Sequence, residues 1–267
     1  MEHELAVVTG TVRKAGQRAL DLARKGFEVH TKKDRSPVTT ADLEVNQILR
    51  EMQETHFPGD GWLSEESPDD ESRLSKSRVW IVDPIDGTKA FVNKLPEYCI
   101  SVALAEAGTP VLAVLFNPST DEMFTAMPGK GLRLNGALLT PAAPRSERPH
   151  VMVSPWEHRG GRWADLDGGV QCRPMLSIAH ALAHVAAGRV QATLTIEPEN
   201  EWDLAAGVLL VQESGGTIAD AEGRPFAFNQ PTPRFRGVIA VAATAGDDLR
   251  PLLQTHADRA RLKKKRS

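Results

Sequence analysis

Cysteine is scarce in this sequence. The 267 residues include only two, Cys99 and Cys172, which stand far apart in apolar or mixed surroundings. A disulfide framework or a cysteine-based metal site needs more cysteines at closer spacing, so nothing indicates either feature. We expect the two thiols to be small buried side chains.

Long apolar runs are also absent. No segment approaches the roughly 20 consecutive apolar residues that a membrane-spanning helix needs. Met1–Gly10 contains acidic residues and no apolar core, so we expect no secretory signal there. The expected location is therefore the cytoplasm, without a membrane partner.

Neither sign of charge is in large excess. The formal net charge is −3, which gives the chain no overall attraction to nucleic acid. The basic C-terminal residues Arg259–Ser267 (RARLKKKRS) are expected to form a solvated tail rather than a nucleic-acid site. The remaining composition, 41% hydrophobic and 25% charged, is that of a globular protein with a large core, in one domain or two tightly joined halves.

The most informative segment is Val79–Val92 (VWIVDPIDGTKAFV), in which an apolar strand-like run leads directly into two acids. Asp83 and Asp86 stand three positions apart, with Pro84 stiffening the backbone between them. Carboxylates this close repel each other unless a cation lies between them. Mg²⁺ prefers oxygen ligands, usually one or two carboxylates with a substrate phosphate. The segment is therefore typical of a strand-to-helix metal site, although taken alone it would also fit an Asp-rich turn.

Two further acidic segments favour the metal site over the turn. Upstream, Trp62–Ser67 (WLSEES) is an apolar run that ends in paired acids. Downstream, Glu201–Gly207 (EWDLAAG) places an acid at the start of an apolar helix. Asp203 would lie at the N-cap or in the first turn, and taken alone a plain cap explains it. Three acid clusters that each adjoin an apolar run can converge on one metal site.

Together these segments resemble the inositol monophosphatase family, a group of Mg²⁺-dependent, lithium-sensitive phosphatases. The resemblance extends from about Val7 to about Val241, and the pairing of DPIDGT with a distant WDxAAG is highly specific. It implies an α+β, layered αβαβα sandwich, which is the inositol monophosphatase-like (sugar phosphatase) fold. Relatives are commonly homodimers, so the resemblance implies a homodimer. It also implies inhibition by lithium.

Transferred residue by residue, the resemblance implies which side chains form the site. The metal ligands would be Glu65, Asp83, the backbone carbonyl of Ile85, Asp86 and Asp203. The catalytic residues would be Glu65, Thr88 and Asp42, where Thr88 and Asp42 orient the attacking water and Glu65 helps to activate it. Asp42 lies in PVTTAD, which resembles the family's P-V-T-x-A-D segment, whereas Ser64 stands where the family usually has glycine. Two or three Mg²⁺ ions would bind per site, and Mn²⁺ accepts the same ligands.

The chemistry expected from such a site needs no covalent intermediate on the protein. A metal ion lowers the pKa of bound water enough to supply a nucleophile near neutral pH, and metal pairs about 4 Å apart hold both ends of an in-line displacement. Phosphoryl transfer depends more on positioning and charge neutralisation than on covalent catalysis. The lack of a plausible cysteine nucleophile agrees with this expectation.

The candidate substrate contacts are Gly87, Thr88, Lys89, Ser177 and Glu197. The resemblance implies that the amides of Gly87 and Thr88 hold the phosphate. Lys89 is familiar in the nucleotide and histidinol-phosphate branches of the group. Ser177 begins a helix that lines the pocket in relatives. Glu197 would hydrogen-bond sugar hydroxyls, with Glu199 as the alternative.

Two other segments leave their roles open. The segment Trp156–Trp163, with Arg159 and Arg162, is either a loop that folds over substrate phosphate or an exposed loop anchored by tryptophan. His180 and His184 stand four apart on one helix face. Without an HExxH context they are interpreted as packed or surface histidines rather than a metal site.

The function expected from these residues is Mg²⁺-dependent hydrolysis of inositol-1-phosphate or a related small sugar or polyol phosphate. One alternative is a 3'(2'),5'-bisphosphate nucleotidase, supported by Lys89 and the sequence of the EWDxAAG segment. Another is a histidinol-phosphate phosphatase, supported by Lys89 only. A catalytically inactive binding protein would require the loss of a ligand, and none is lost. The expected partner is a small phosphorylated metabolite, not a nucleic acid.

Periodicity and turn residues predict the order of elements. The predicted helices are Leu5–Gly26, Thr40–Thr55, Ser177–Ala187, Asp203–Ser214 and Asp247–His256. Strands are predicted at Trp62 and Val79, and Tyr98–Leu139 is predicted to be an antiparallel meander. The polar segment Pro141–Pro149 separates a predicted N-terminal half (1–145), with most metal ligands, from a C-terminal half (146–260) that carries Asp203. A basic tail (261–267) follows.

Overall fold

The computed structural model of the chain describes residues 1–33, 35–142, 148–166 and 169–264. Its helices are α1 (Glu2–Lys25), α2 (Thr40–His56), α3 (Thr88–Val92), α4 (Pro155–Arg159), α5 (Ile178–Ala186), α6 (Glu201–Glu213) and α7 (Leu249–Lys264). Its strands are β1 (Val29–Thr31), β2 (Pro37–Thr39), β3 (Gly61–Ser64), β4 (Arg78–Asp86), β5 (Cys99–Glu106), β6 (Thr109–Asn117), β7 (Glu122–Ala126), β8 (Arg133–Leu134), β9 (Ala137–Leu138), β10 (His150–Val153), β11 (Gln171–Pro174), β12 (Ala192–Thr195), β13 (Glu199–Asn200), β14 (Thr217–Ala219), β15 (Arg234–Phe235) and β16 (Val238–Val241).

These elements stack in five layers. Helices α1 and α2 cover one face of a seven-stranded sheet with strand order β3-β4-β5-β6-β7-β8-β9. Helices α5 and α6 lie between that sheet and a five-stranded sheet with order β11-β10-β12-β16-β14. Helix α7 packs on the outer face of the second sheet. The layered αβαβα sandwich predicted from the sequence is confirmed.

The period of the apolar residues explains which faces are buried. Along α1, Val8, Val12, Ala15 and Ala19 recur at helical spacing and pack on the first sheet. Along β10 the side chains alternate between two apolar clusters, because successive strand residues point to opposite faces. The side chain of Met152 belongs to the inner cluster, whereas its neighbours on either side belong to the outer one.

The central layer depends on small residues in α6. This helix is buried along most of its length and packs against both α5 and the first sheet. A Cβ atom added to Gly207 would lie 2.4 Å from Cδ1 of Leu182 on α5. Glycine at this position therefore allows the two helices to approach closely.

Most of the predicted elements are present. The antiparallel meander is confirmed by strands β5 to β9. The last helix begins at Leu249 and continues to Lys264. The expectation of a solvated tail from Arg259 is therefore wrong for residues 259–264, which are helical, and Ala260 is buried. The predicted boundary between 145 and 146 lies outside the described residues, and the division into two halves stays a prediction. Among the helices described, none has the length and apolar character needed to cross a membrane.

Candidate active site

Strand β4 delivers two aspartates to the same place. In a regular strand, residues three apart point to opposite faces. Asp83 pairs with Ser101 and Asp86 with Cys99, so β4 has one extra residue between the two aspartates. This bulge turns both carboxylates to one side. The backbone N–H of Ile85 donates to Oδ1 of Asp83 at 3.0 Å and fixes the bulged segment.

The third aspartate comes from the first turn of α6. Asn200 is the N-cap residue, and Oδ2 of Asp203 accepts from the Asn200 backbone N–H at 2.7 Å in a capping box. Asp203 therefore caps the helix with one oxygen, as expected for an acid at this position. A carboxylate oxygen of Asp203 also lies within 4.8 Å of carboxylate oxygens of Asp83 and Asp86.

The three aspartates form a buried cluster of like charges. Burial raises the pKa of Asp86 to about 7, and the nearby Glu65 charge adds to that effect. Burial and neighbouring carboxylates raise the pKa values of Asp83 and Asp203 well above the usual range of aspartate. Together they supply only hard oxygen donors, which is the ligand type that Mg²⁺ and Mn²⁺ prefer. The cluster therefore fits a divalent cation, which would offset the repulsion between the three charges.

Asp86 is anchored by the start of α5. Its Oδ2 accepts from Oγ of Ser177 and from the backbone N–H of Ala179, both at 2.6 Å. These hydrogen bonds favour the charged carboxylate, against the effect of burial. Ser177, expected as a substrate contact, thus holds a carboxylate of the cluster as well as lining the adjacent cavity.

Glu65 is paired with a lysine that the sequence did not mark. Nζ of Lys32 lies 2.7 Å from Oε1 of Glu65 and 2.5 Å from Oε1 of Glu66. Burial raises the pKa of Glu66 to about 7. Glu65 was expected as a metal ligand, and in the described residues its carboxylate lies outside the group of three aspartates. Its charge nevertheless contributes to the raised pKa of Asp83.

The remaining expected catalytic residues meet beside the cluster. Oγ1 of Thr88 donates to Oδ1 of Asp42 at 3.0 Å and lies 3.2 Å from the carbonyl oxygen of Ile85. The other carboxylate oxygen of Asp42 accepts from the backbone N–H and the hydroxyl of Thr39 in the capping box of α2. Burial raises the pKa of Asp42. The N-cap residue of α2 is Thr39, and the capping box holds Asp42 facing Thr88.

A cavity of about 300 Å³ adjoins the cluster. Its lining combines cluster residues, cations, polar residues and apolar residues: Asp86, Asp203, Ser177, Glu199, Lys89, Arg159, Thr193, Thr195, Ser154, Val153, Pro155, Trp156, Met175, Leu176, Ile178 and Ala181. Several of these follow or end β10, β11 and β12, which run parallel in one sheet. The carboxyl ends of parallel strands meet at one edge, where ligand sites of such sheets form.

Of the two candidate glutamates, Glu199 lines this cavity and Glu197 does not. The carboxylate of Glu197 forms an ion pair with the guanidinium of Arg162 and is absent from the lining. Glu199 lies in β13, near Asp203, and burial raises its pKa well above the usual range of glutamate. The substrate role of Glu197 stays a prediction, and the position of Glu199 favours the alternative.

The turn after Asp86 requires glycine. Gly87 has φ +94°, and a Cβ atom there would lie 2.8 Å from the carbonyl oxygen of Glu97. Helix α3 begins directly afterwards at Thr88. The first amide groups of a helix have no partner within the helix, so this turn can offer N–H donors to an anion.

Trp156–Trp163 is not an irregular loop as a whole. It includes most of the short helix α4, and its two tryptophans have different environments. The Trp156 side chain lines the cavity although 68% of the residue is exposed, whereas Trp163 is buried. His180 and His184 are a packed pair, as expected, with their Nε2 atoms 3.1 Å apart.

Sequence reasoning did not identify three of the supporting residues. Thr39 and Asn200 stand three positions before Asp42 and Asp203, and this capping-box spacing could have identified both. Lys32 carries no comparable signal, because its contact with Glu65 joins residues 33 positions apart.

A buried carboxylate cluster thus lies beside a cavity within a layered αβαβα sandwich, the architecture of the sugar phosphatase fold. The family model described as "Inositol monophosphatase family" matches residues 1–257. The chain therefore belongs to the inositol monophosphatase family, whose members are phosphatases that act on phosphate esters.

The relatives differ in their named substrates. An inositol-1-monophosphatase of Rhizobium meliloti is 37% identical over 233 residues, 82% of this chain and 86% of the relative. A 3'(2'),5'-bisphosphate nucleotidase of Escherichia coli K12 is 31% identical over 227 residues, 83% of this chain and 91% of the relative. The solved structure of a Thermotoga maritima IMPase matches with a TM-score of 0.84 and 25% identity, over 98% of this chain and 99% of that one. Family membership thus leaves the substrate open.

Proposed function

We propose that this protein is a Mg²⁺-dependent phosphomonoesterase that hydrolyses a small sugar or polyol phosphate. The observation that carries the proposal is the buried cluster of Asp83, Asp86 and Asp203, whose carboxylate oxygens lie within 4.8 Å of one another. Three such charges are costly in a protein interior unless a cation neutralises them. A cluster of this kind beside a cavity is a functional feature rather than a stabilising one.

Each group of side chains has a separate task in this proposal. Bound Mg²⁺ would neutralise phosphate charge and supply a nucleophilic water near neutral pH. Asp83, Asp86, Asp203 and the Ile85 carbonyl would hold the cation, and Glu65, which pairs with Lys32 in this structure, would be a further ligand. Asp42 accepts the Thr88 hydroxyl hydrogen bond, which would leave the Thr88 oxygen lone pairs available to accept from the attacking water. The amides of the Gly87 turn would bind the phosphate oxygens.

The organic part of the substrate would face Glu199. A buried carboxyl group that lines a cavity can accept or donate hydrogen bonds to hydroxyl groups, and such groups select hydroxylated ligands strongly. The hydroxyls of inositol and of ribose both meet this requirement. We therefore take inositol-1-phosphate as the reference substrate, with a nucleoside bisphosphate and histidinol phosphate as competitors. A homodimer, lithium inhibition and a cytoplasmic location stay predictions from the family resemblance.

Phosphate release tests this proposal. The parent protein is assayed with inositol-1-phosphate, adenosine 3',5'-bisphosphate and histidinol phosphate, each with Mg²⁺ and with a chelator. We expect chelator-sensitive turnover of at least one ester, compared by kcat/KM. We expect turnover to be lost in Asp86→Asn and kept in the control Asp121→Asn, which removes an exposed carboxylate far from the cluster. Turnover that survives either chelation or Asp86→Asn would overturn the metal assignment.

A further inference from the structure

A single asparagine of α2 contacts the turn that carries Glu65. Oδ1 of Asn46 accepts from the hydroxyl of Ser64 at 2.7 Å, and its Nδ2 donates to Oγ of Ser67 at 3.1 Å. Nδ2 also lies 3.4 Å from the backbone carbonyl oxygen of Glu66. A side-chain amide has donors and an acceptor, so it can bind two hydroxyl groups at once. Asn46 therefore contacts the residue before Glu65 and both residues after it.

The same turn is also held by the first sheet. Oγ of Ser67 accepts from Nε1 of Trp62 at 3.1 Å. Trp62 lies in β3 and is buried, so the apolar core holds its indole in place. The backbone N–H of Glu65 donates to the carbonyl oxygen of Val82 at 3.2 Å, directly before Asp83. The turn is thus fixed by β3 and β4 on one side and by α2 on the other.

The face of α2 that carries Asn46 also carries Asp42. The two residues are four positions apart, which places them one above the other on the helix. Asp42 accepts from the hydroxyl of Thr88, whereas Asn46 binds the turn. The negative charge of Glu65 helps to raise the pKa values of Asp42 and Asp83, so its carboxylate lies near both. One helix face therefore sets the position of Glu65 relative to Asp42.

Asn46 and Ser64 do not contact the substrate cavity. Neither residue lines the cavity beside the aspartate cluster. Ser64 is buried, and Asn46 is half-buried with both ends of its amide group engaged by the turn. Any effect of these two side chains on the reaction therefore passes through the turn that they hold.

We propose that Asn46 and Ser64 are positioning residues that hold the turn carrying Glu65, so that the Glu65 carboxylate can reach a cation bound by the aspartate cluster. This inference rests on the proposed function, in which Glu65 is a further ligand. Glu65 pairs with Lys32 in this structure, so its side chain changes partner while Asn46 keeps the backbone of the turn in place. Removing a residue that orients a metal ligand weakens metal binding or activity by roughly 10- to 100-fold.

The dependence of the rate on Mg²⁺ tests the proposal. With inositol-1-phosphate, the Mg²⁺ concentration that gives half of the maximal rate should rise about tenfold in Asn46→Ala and in Ser64→Ala. At saturating Mg²⁺, KM should stay within about twofold, because neither side chain lines the cavity. A merely structural role would leave the Mg²⁺ dependence unchanged. Thermal unfolding shows whether each variant is folded at the assay temperature, and either variant alone suffices for the test.

The next residue of α2 supplies a matched control. Gln47 is exposed, and its Nε2 donates to Oε1 of Glu51 on the same helix at 2.9 Å. Gln47→Ala removes an amide side chain from the same helix without touching the turn, and it should leave the Mg²⁺ dependence unchanged. If Gln47→Ala and Asn46→Ala shift this dependence equally, or if Asn46→Ala shifts nothing, the proposal is overturned.

A second background shows whether Asn46 acts through Glu65. Calorimetric titration with Mg²⁺ compares Asn46→Ala in the parent protein and in Glu65→Gln. In the parent protein, Asn46→Ala should weaken Mg²⁺ binding about tenfold, whereas in Glu65→Gln it should weaken binding no further. An equal weakening in both backgrounds would show that Asn46 does not act through Glu65, and the proposal would be wrong.

The same titration keeps this inference separate from the proposed function. If the parent protein releases no phosphate from any ester with Mg²⁺, the proposed function fails. Mg²⁺ binding that is about tenfold weaker in Asn46→Ala would still support the positioning role, because binding is measured without hydrolysis. Equal binding by the parent protein and the variant, or no binding by the parent protein, would contradict it.

Discussion

Replacing Asp86 with asparagine should abolish turnover and at the same time stabilise the metal-free protein at alkaline pH. Asparagine keeps the shape of the side chain, and its oxygen can accept the hydrogen bonds from Ser177 and Ala179. It cannot carry the negative charge that a divalent cation needs. Loss of activity together with a gain in stability would distinguish this variant from one that merely unfolds.

The size and sign of the effect follow from the pKa of Asp86. Burial raises that pKa from 3.8 to about 7. Because the pKa is higher in the folded state than in the unfolded state, the neutral carboxyl group contributes to the free energy of unfolding at low pH. This contribution is lost as the pH rises through about 7. A difference of this size corresponds to at most about 4 kcal/mol at pH 8. The asparagine variant avoids this loss, which should raise the melting temperature by roughly 5 to 10 °C.

Thermal unfolding in the presence of a chelator, at pH 4 and pH 8, measures this effect. The melting temperature of the variant should be higher than that of the parent protein at pH 8 and equal to it at pH 4. Added Mg²⁺ should raise the melting temperature of the parent but not that of the variant. The control Asp121→Asn removes a carboxylate whose side chain is 72% exposed, at a φ of +51° that asparagine tolerates, and should change neither curve. A variant that melts at or below the parent at pH 8 without metal would refute the reasoning.

Three further predictions concern single side chains. Glu199→Gln should raise KM for inositol-1-phosphate about tenfold, because it changes an acid that lines the cavity. The control Glu197→Gln changes a residue outside the lining and should leave KM within about twofold. Equal effects of the two substitutions on KM would contradict the assignment of Glu199. Thr88→Val should lower kcat about a hundredfold or more, and Mg²⁺ should still raise the melting temperature of the variant. If Mg²⁺ no longer raises the melting temperature, Thr88 has a role in metal binding instead. Gly207→Ala should destabilise the protein by about 1 to 3 kcal/mol in denaturant unfolding, because its Cβ would overlap α5, whereas Gly10→Ala on α1 has open space and should stabilise slightly.

Much of the fold and the carboxylate cluster could be predicted because their signals are local. Helix α1 shows apolar residues at helical spacing, and the meander shows short apolar runs separated by turn residues. Asp83 and Asp86 follow a buried strand in one continuous segment. Asp203 could be placed in the first turn of a helix from its own neighbours. These signals place each acid on its own element, whereas the meeting of Asp203 with Asp83 and Asp86 was implied by the family resemblance.

The choice between Glu197 and Glu199 depended on a contact that no local pattern contains. Both acids follow the same strand and are separated by one proline, so their spacing cannot indicate which one faces the cavity. Glu199 pairs with Phe235 in the small sheet formed by β13 and β15. The carboxylate of Glu197 instead forms an ion pair with Arg162, which comes earlier in the chain. Two long-range partners therefore decide the orientation of both side chains.

The residues around the cavity show that substrate contacts, too, could not be predicted from local sequence patterns. Trp156 and Lys89 are 67 positions apart in the sequence, and they meet because α4 follows the end of β10 while α3 follows the end of β4. The metal cluster uses acids whose role is apparent from residue type, since three carboxylates in one place need a cation. The same cavity is lined by Trp156 and Arg159, residue types that also occur on surfaces that bind nothing. Only the fold places them in the same cavity as Asp86 and Asp203, so the substrate has to be inferred from this geometry rather than from the motif.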